Sequence, residues 1–341
     1  MKKLLILFIF GFSVFIGGSF AIGIYGFAAN GYVEDSFNYS YETSQLNSTQ
    51  DLHFRMDVGN VYIEYNNSKM EEAMMADMRI YLSGPFINGK KYTDYFNPVI
   101  WQNTPTSANL SLKEFNNNWP GKDDWFYRDG STLRIKLRTD LTYNISVYSE
   151  EGNIEVHSPK DVNINKINLT TSIGDVSLYA NRTIFNNKIS IKSNTGNIFL
   201  NFTKCIIDGS IRSVTFTGDT HLNTYHPYYT ETSNWEINTT NGDIIVNINQ
   251  NENMNSDVDA SFQSHVGNVV VNYHDNSTQV GALFSGSSGI NVIKYESKDG
   301  SFGKFRNEFK SIDYDTAINK YSIDMKTFNG DIVVRATSSP D

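Results

Sequence analysis

Residues whose types and spacing could support catalysis or metal binding are few in this chain. A glycosidase needs two placed carboxylates, and Asp123-Asp124 is the one adjacent acidic pair set among aromatic side chains. The six histidines, His53, His157, His221, His226, His265 and His274, show no H-E-x-x-H or other ligand spacing. Cys205 is the single cysteine, which excludes a disulfide framework and a cysteine-based zinc site. Set between Phe202 and Ile206-Ile207, it reads as a small buried hydrophobe. Four aspartates, Asp175, Asp219, Asp243 and Asp331, each follow a glycine, and Asn60, Asn153, Asn197 and Asn268 hold the same place elsewhere. Interchange of Asp and Asn suits a turn and does not suit a general acid. Stacked, these side chains would offer oxygen atoms to calcium, but the repeat is not the calcium-binding nonapeptide. We therefore expect no catalytic residue, no cofactor and no metal site, and read the chain as a non-enzyme.

Those aspartates belong to a repeat. Glycine, then Asn or Asp, then an alternating apolar stretch recurs at Gly59, Gly152, Gly174, Gly196, Gly218, Gly242, Gly267, Gly289 and Gly330. From Gly152 onward the intervals are 22, 22, 22, 24, 25, 22 and 41, so the last carries an insertion, and the copy at Gly289 is degenerate. Five residues before each glycine stands an apolar side chain, as in Val147, Leu169 and Ile191, with Ser213 the exception. Three residues before stands a small hydroxyl: Ser149, Thr171, Ser193, Thr215, Thr239, Ser264 and Thr327. Two and four residues after are apolar again, with Thr220 the main lapse.

Period-two alternation puts these positions on one face of a strand. Each unit reads as strand, tight corner, strand, with glycine supplying positive φ and Asn or Asp bonding its own backbone. A lone two-strand unit cannot bury its apolar face; stacked copies bury it against one another. The expected fold is all-β: a parallel β-helix, or β-solenoid, with rungs of about 22 residues. A flatter two-sheet sandwich of the same units is the alternative. The expected divisions are a membrane-targeting segment at 1–30, a polar stalk at 31–50 and an antiparallel β cap at 51–145. Solenoid repeats follow at 146–336 with an insertion at 297–320, then a tail at 337–341. Within the cap, Ala76–Leu82 and Thr132–Arg138 read as strands. Tyr92, Tyr95, Phe96, Trp101, Trp119, Trp125, Phe126 and Tyr127 read as core covering the first rung, with a carbohydrate-stacking patch as the alternative.

The address lies at the start. Lys2-Lys3 precedes an uncharged run from Leu4 to Ala29, longer than the ~20 residues a bilayer core requires. This predicts an N-terminal transmembrane helix, a signal-anchor with Lys2 and Lys3 in the cytoplasm. A cleaved signal peptide ending near Ser19-Phe20-Ala21 is the alternative. Either places the rest of the 341-residue chain outside the membrane, single-pass or secreted. Ten Asn-x-Ser/Thr sequons follow, at Asn38, Asn47, Asn66, Asn109, Asn144, Asn168, Asn181, Asn201, Asn238 and Asn276. In a chain this rich in Asn, Ser and Thr most such triplets arise by chance. They open the chain to N-glycosylation without requiring it. With 28 Lys+Arg against 37 Asp+Glu and a net charge of -9, no nucleic-acid partner is expected.

The Gly-Asp/Asn-Ile/Val-x-Val/Leu repeat, best over Val147–Val334 and weaker over Leu52–Tyr65, resembles the putative-adhesin family of unknown-function domains. It is also similar to the related head-domain auto-transporter adhesins of bacteria. The richness in Asn, Tyr and sequons resembles archaeal envelope members of that family. The resemblance implies a β-solenoid, no catalytic residues and a role at the cell surface. We expect a non-catalytic, adhesin-like, membrane-anchored surface protein that contacts envelope or cell-surface glycans or proteins. The alternatives are a structural or accessory envelope protein that binds itself or a membrane partner and, third, a polysaccharide-active β-helix enzyme.

Overall fold

The computed structural model describes residues 30–66, 71–85, 89–114, 130–251, 253–277, 279–289, 291–305 and 308–337. Its strands form a 12-stranded and a 15-stranded sheet, and long stretches of both are parallel. Successive units contribute one strand to each sheet. Asn163–Ile173 lies in the larger sheet, the chain turns at Gly174, and Val176–Asn181 lies in the smaller. Ile189–Thr195 and Ile198–Thr203 repeat the path one rung further, with Val176 opposite Ile198 and Leu169 opposite Ile191. This is a solenoid-like coil with two parallel walls.

Alternation makes the core. Ile154, Val176, Ile198, Ile244, Val269 and Ile332 form one inward column of the smaller sheet, all fully buried. Val147, Leu169, Ile191, Ile237 and Phe262 form the facing column of the larger sheet. Burying each such side chain contributes about 1.5–3 kcal/mol. Both sequence lapses fall in one rung: Ser213 and Thr220 are fully buried there, and neither hydroxyl has a hydrogen-bond partner.

The ends depart from the expected order. The strand Asn319–Asn329 pairs with Val258–Val266 on one side and with Val280–Ser288 on the other. Ile332–Thr337 likewise lies between Val269–Asp275 and Ile293–Ser297. The rung at Gly330 is therefore inserted between those of Gly267 and Gly289, and the Gly289 rung is outermost. The other end mirrors this. Gln50–Val58 and Asn60–Asn66 lie between the Gly152 rung and an outer rung built of Ser107–Leu112 and Thr132–Arg138.

Three expected divisions change accordingly. Residues 31–50 are no stalk: Asn30–Tyr41 is a 12-residue strand, antiparallel to Met74–Pro85, at the edge of the smaller sheet. Val33 and Tyr41 are buried, and that burial is what holds it there. The coil starts at Gln50 and not at 146; the antiparallel additions at this end are Asn30–Tyr41, Met74–Pro85 and Ile100–Thr104. The insertion at 297–320 includes Phe302–Phe305 and Glu308–Ser311, which add antiparallel strands beside Val280–Ser288. Among the described residues no helix is long and apolar enough to cross a membrane; the expected span at Leu4–Ala29 lies outside them.

Candidate binding surfaces

The first corner shows why its residue types recur. At Gly196 φ is +142°, and a Cβ there would lie 2.0 Å from the Gly174 carbonyl oxygen of the rung before. No side chain fits between carbonyls stacked this closely. The residue after each glycine forms a continuous ladder. Asn60 Oδ1 accepts the Asn153 N–H at 2.8 Å, Asn153 that of Asp175 at 2.8 Å, and Asp175 that of Asn197 at 2.7 Å. Asn197, Asp219, Asp243 and Asn268 continue it to Asp331. Each uses one side-chain oxygen, which Asn and Asp both possess.

The small hydroxyls complete the corner. Thr171 donates to the Gly152 carbonyl at 3.0 Å, Ser193 to Gly174 at 2.9 Å and Thr215 to Gly196 at 3.1 Å. Ser149, Thr239, Ser264 and Thr327 do the same with Gly59, Gly218, Gly242 and Gly267. Thr327 belongs to the inserted rung and bonds back to Gly267 of the rung beside it, and a Cβ on Gly330 would lie 1.9 Å from the Gly267 carbonyl oxygen. Gly289 packs against the Phe328 carbonyl instead.

At the second corner four non-glycine residues hold positive φ: Asp161 (62°), Arg182 (53°), Lys204 (51°) and His226 (52°). Their N–H groups bond to the next rung, Arg182 to the Thr203 carbonyl at 2.8 Å and Lys204 to that of Tyr225 at 2.7 Å. Left-handed backbone at a non-glycine residue costs of order 1–3 kcal/mol and persists where the surroundings enforce it.

The outward face of the smaller sheet carries side chains in rows. Asn201, Asn223, Asn247 and Asn272 align in register. Asn247 Nδ2 donates to Asn223 Oδ1 at 2.6 Å and Asn272 Nδ2 to Asn247 Oδ1 at 2.7 Å. Tyr179, His157 and Glu64 extend the row the other way. The His157 and Tyr179 rings stack at 4.9 Å. Beside them lies a groove of about 590 Å³, lined by both rings with Glu64, Tyr65, Asn181, Asn201 and Thr203 among others. Tyr65 is buried with its hydroxyl unpartnered, and burial raises its pKa well above the usual phenol value.

The remaining sequence candidates are dispersed. Asp123-Asp124 lies outside the described residues, as do Trp119, Trp125, Phe126 and Tyr127. Phe96 and Tyr95 are buried, and Tyr92 and Trp101 pack against Phe37 and Tyr39 of the N-terminal strand. Cys205 is fully buried, and burial pushes its thiol up to about 11. No group of three or more His, Cys, Asp or Glu able to hold a metal occurs among the described residues. Of the ten sequon asparagines none is buried: Asn38, Asn47, Asn109, Asn181 and Asn276 are exposed, and Asn66, Asn144, Asn168, Asn201 and Asn238 are half-buried. The amide row and the second corner escaped the sequence reading. Both were visible as fixed offsets: the row stands five residues after each glycine, and Arg182, Lys204 and His226 stand eight after.

No family model and no curated protein matches the chain. Solved structures similar to it include one described as a putative adhesin of Bacteroides fragilis, at 11% identity and a TM-score of 0.41, covering 88% of this chain and 96% of that one. Another is a putative cell adhesion protein of Clostridium sporogenes, at 10% identity and a TM-score of 0.26, with 89% and 99% covered. A third is a putative lipid binding protein of Parabacteroides distasonis, at 12% identity and a TM-score of 0.32, with 88% and 96% covered.

Proposed function

We propose that the chain is a non-catalytic, adhesin-like surface protein, tethered by its N-terminal segment, that contacts envelope or cell-surface glycans or proteins through the outward faces of its coil. The observation that carries this reading is the outward face of the smaller sheet, where an amide row runs in register across four rungs. Asn side chains offer two donors and an acceptor each, and a regular row presents them at the ~4.8 Å spacing of the strands. Such a face suits broad polar contact. Asn30–Tyr41 starts directly after the expected membrane segment in the sequence. The test is binding of the full-length chain to intact cells and immobilised envelope glycans, with protease accessibility on whole cells. Saturable binding and cleavage from outside are expected; protection from protease would overturn the surface location.

A second reading, an accessory envelope protein that binds itself or a membrane neighbour, draws on one feature. Ile173, Phe216, Val266 and Phe328 stand exposed along the first corner, between 41% and 62% accessible. Thr195, Thr217 and Asn241 stand between Ile173 and Val266 in register, so these are separate apolar contact points along one edge and not a continuous patch. Crosslinking on cells that yields a discrete larger species would favour this reading, and monomers alone would remove it.

A further inference from the structure

We infer that the groove beside the stacked His157 and Tyr179 rings binds an acidic glycan, whose rings lie on that pair while its anionic groups meet Arg182 and Lys204. The inference rests on the surface-contact reading and names the ligand class for one place on the coil. Three features converge there. The first is shape: the groove crosses the rungs of Glu64, His157, Tyr179 and Asn201, which follow one another in register. At ~4.8 Å per strand these four rungs span three intervals, roughly 14 Å, the reach of a short oligosaccharide. The second is an apolar platform. His157 and Tyr179 stack at 4.9 Å with 21° between their planes; the exposed His157 ring bonds Glu155 Oε1 through Nε2, and Tyr179 is 37% exposed. A pyranose ring has an apolar face that packs on such a surface, with its hydroxyls at the rim. Glu64, Asn181, Asn201 and Thr203 stand at that rim.

Charge is the third feature. Arg182 and Lys204 follow Asn181 and Thr203 directly, so they stand at the groove's edge on adjacent rungs. Both are exposed, and neither has an ion-pair partner among the described residues. The chain has a net charge of -9; at this corner two neighbouring cations without ion pairs give a local positive charge that would favour an anionic partner, with Glu64 the one carboxylate lining the groove. Their backbone is left-handed, at φ 53° and 51°, a conformation that local hydrogen bonding across rungs enforces. Two cations one strand apart match anionic groups on successive sugar units.

The test uses the full-length chain, purified in detergent and produced without N-glycosylation so that Asn181 and Asn201 stay bare. Its migration is followed in gels containing polygalacturonate, dextran sulfate or neutral dextran. Retardation by polygalacturonate and none by dextran is expected. Arg182→Asn with Lys204→Asn should weaken it at least tenfold, because Asn accepts left-handed backbone and the fold survives. Tyr179→Ser should weaken it by a similar factor with no change in charge. Lys166→Asn with Lys192→Asn, an equal charge change on the other sheet, should leave it unaltered. Retardation by dextran equal to that by polygalacturonate would overturn the acidic class. Retardation by dextran sulfate alone, insensitive to Tyr179→Ser, would reduce it to net attraction and overturn the groove. If the chain binds intact cells and neither groove variant alters that binding, the groove falls and the surface reading stands. If it binds no cell and no acidic glycan, both fall.

Discussion

The middle of the coil and its two ends are built on different rules. Between Gly152 and Gly267 one set of contacts repeats: stacked glycine carbonyls, a side-chain ladder of Asn and Asp, and a hydroxyl bonded back one rung. Each rung needs only its neighbours, as in other linear repeats. At the ends chain order and spatial order part. Toward the C-terminus the chain runs inner, outer, then middle rung; toward the N-terminus it runs middle, outer, inner. The two terminal rungs are thereby clamped between others, and neither is the outermost. Termini fray where nothing ties them; the permutation holds Ile332–Thr337 between two strands, whereas Asn30–Tyr41 is tied only by its antiparallel pairing at the sheet edge. The exposed edges are then closed by antiparallel strands or kept short. Ile293–Ser297, the last strand of the smaller sheet, has five residues, with Lys294 paired to Glu296, which discourages edge-to-edge association.

The sharpest way to break the middle is at a stacked glycine. Gly196→Ala places a Cβ 2.0 Å from the Gly174 carbonyl oxygen at φ +142°. Backbone must move in two rungs, and the expected loss is about 4 kcal/mol or more in urea unfolding. Gly300→Ala has no heavy atom within 4 Å of its Cβ but keeps φ +76°, so it should lose only about 1 kcal/mol. Equal losses at both positions would show that backbone conformation alone, and not carbonyl stacking, selects glycine in the middle.

At the C-terminal end the equivalent lesion is a cavity. Phe284 of the outermost rung packs against Tyr273, Phe302 and Phe309 at 5.6, 6.1 and 6.2 Å. Phe284→Ala is expected to cost about 3–4 kcal/mol. Because Val280–Ser288 covers the inserted strand Asn319–Asn329, amide exchange should rise there as well as in the outer rung. Faster exchange confined to the outer rung would mean that the inserted rung does not depend on its cover.

A smaller test compares two threonines of one rung. Thr215 donates to the Gly196 carbonyl, whereas Thr220 is fully buried with no partner. Valine keeps the shape of both. Thr215→Val should lose about 1 kcal/mol and Thr220→Val should gain about as much, since an unmet buried hydroxyl is costly. Two changes of the same sign in thermal unfolding would refute this account of the hydroxyl row.

These cases also show what the sequence could disclose. The period, the alternation and the glycine corners were legible because every middle rung solves the same local problem, and Ser213 and Thr220 stood out as lapses for the same reason. The spatial order of the ends was not legible. Gly330 carries the full motif and Gly289 a degenerate one, and a local pattern does not say which neighbour it stacks on. Residues 31–50 misled because an edge strand such as Asn30–Tyr41 buries only one face and reads as polar. The groove was hidden differently: His157, Tyr179 and Asn201 share one offset from the glycine but no residue type, so only register unites them.

The smallest expected effect concerns a buried acid next to the C-terminal end. Asp275 is buried at the end of Val269–Asp275; it accepts the Tyr273 hydroxyl at 2.9 Å and the Ser277 N–H at 2.7 Å. Burial raises its pKa above the usual carboxylate value, and the nearby Asp313 charge adds to this. An acid with a raised folded pKa binds more protons folded than unfolded, so stability falls as pH rises through the interval between the two values. Above that interval the cost is fully present. Asp275→Asn keeps an oxygen for the Ser277 N–H, turns an amide N–H toward the Tyr273 hydroxyl oxygen, and carries no charge. It should raise stability at pH 7 by roughly half a kcal/mol and flatten the slope in the acid range, with little change below the unfolded pKa. No such buried acid occurs among the described residues between Gly152 and Gly267. The pH dependence from this source should therefore appear in exchange from the C-terminal rungs and be absent from the middle. A loss of stability in Asp275→Asn at pH 7 would mean that the carboxylate's bonds outweigh its desolvation, and the end would then be held by the acid and not merely tolerant of it.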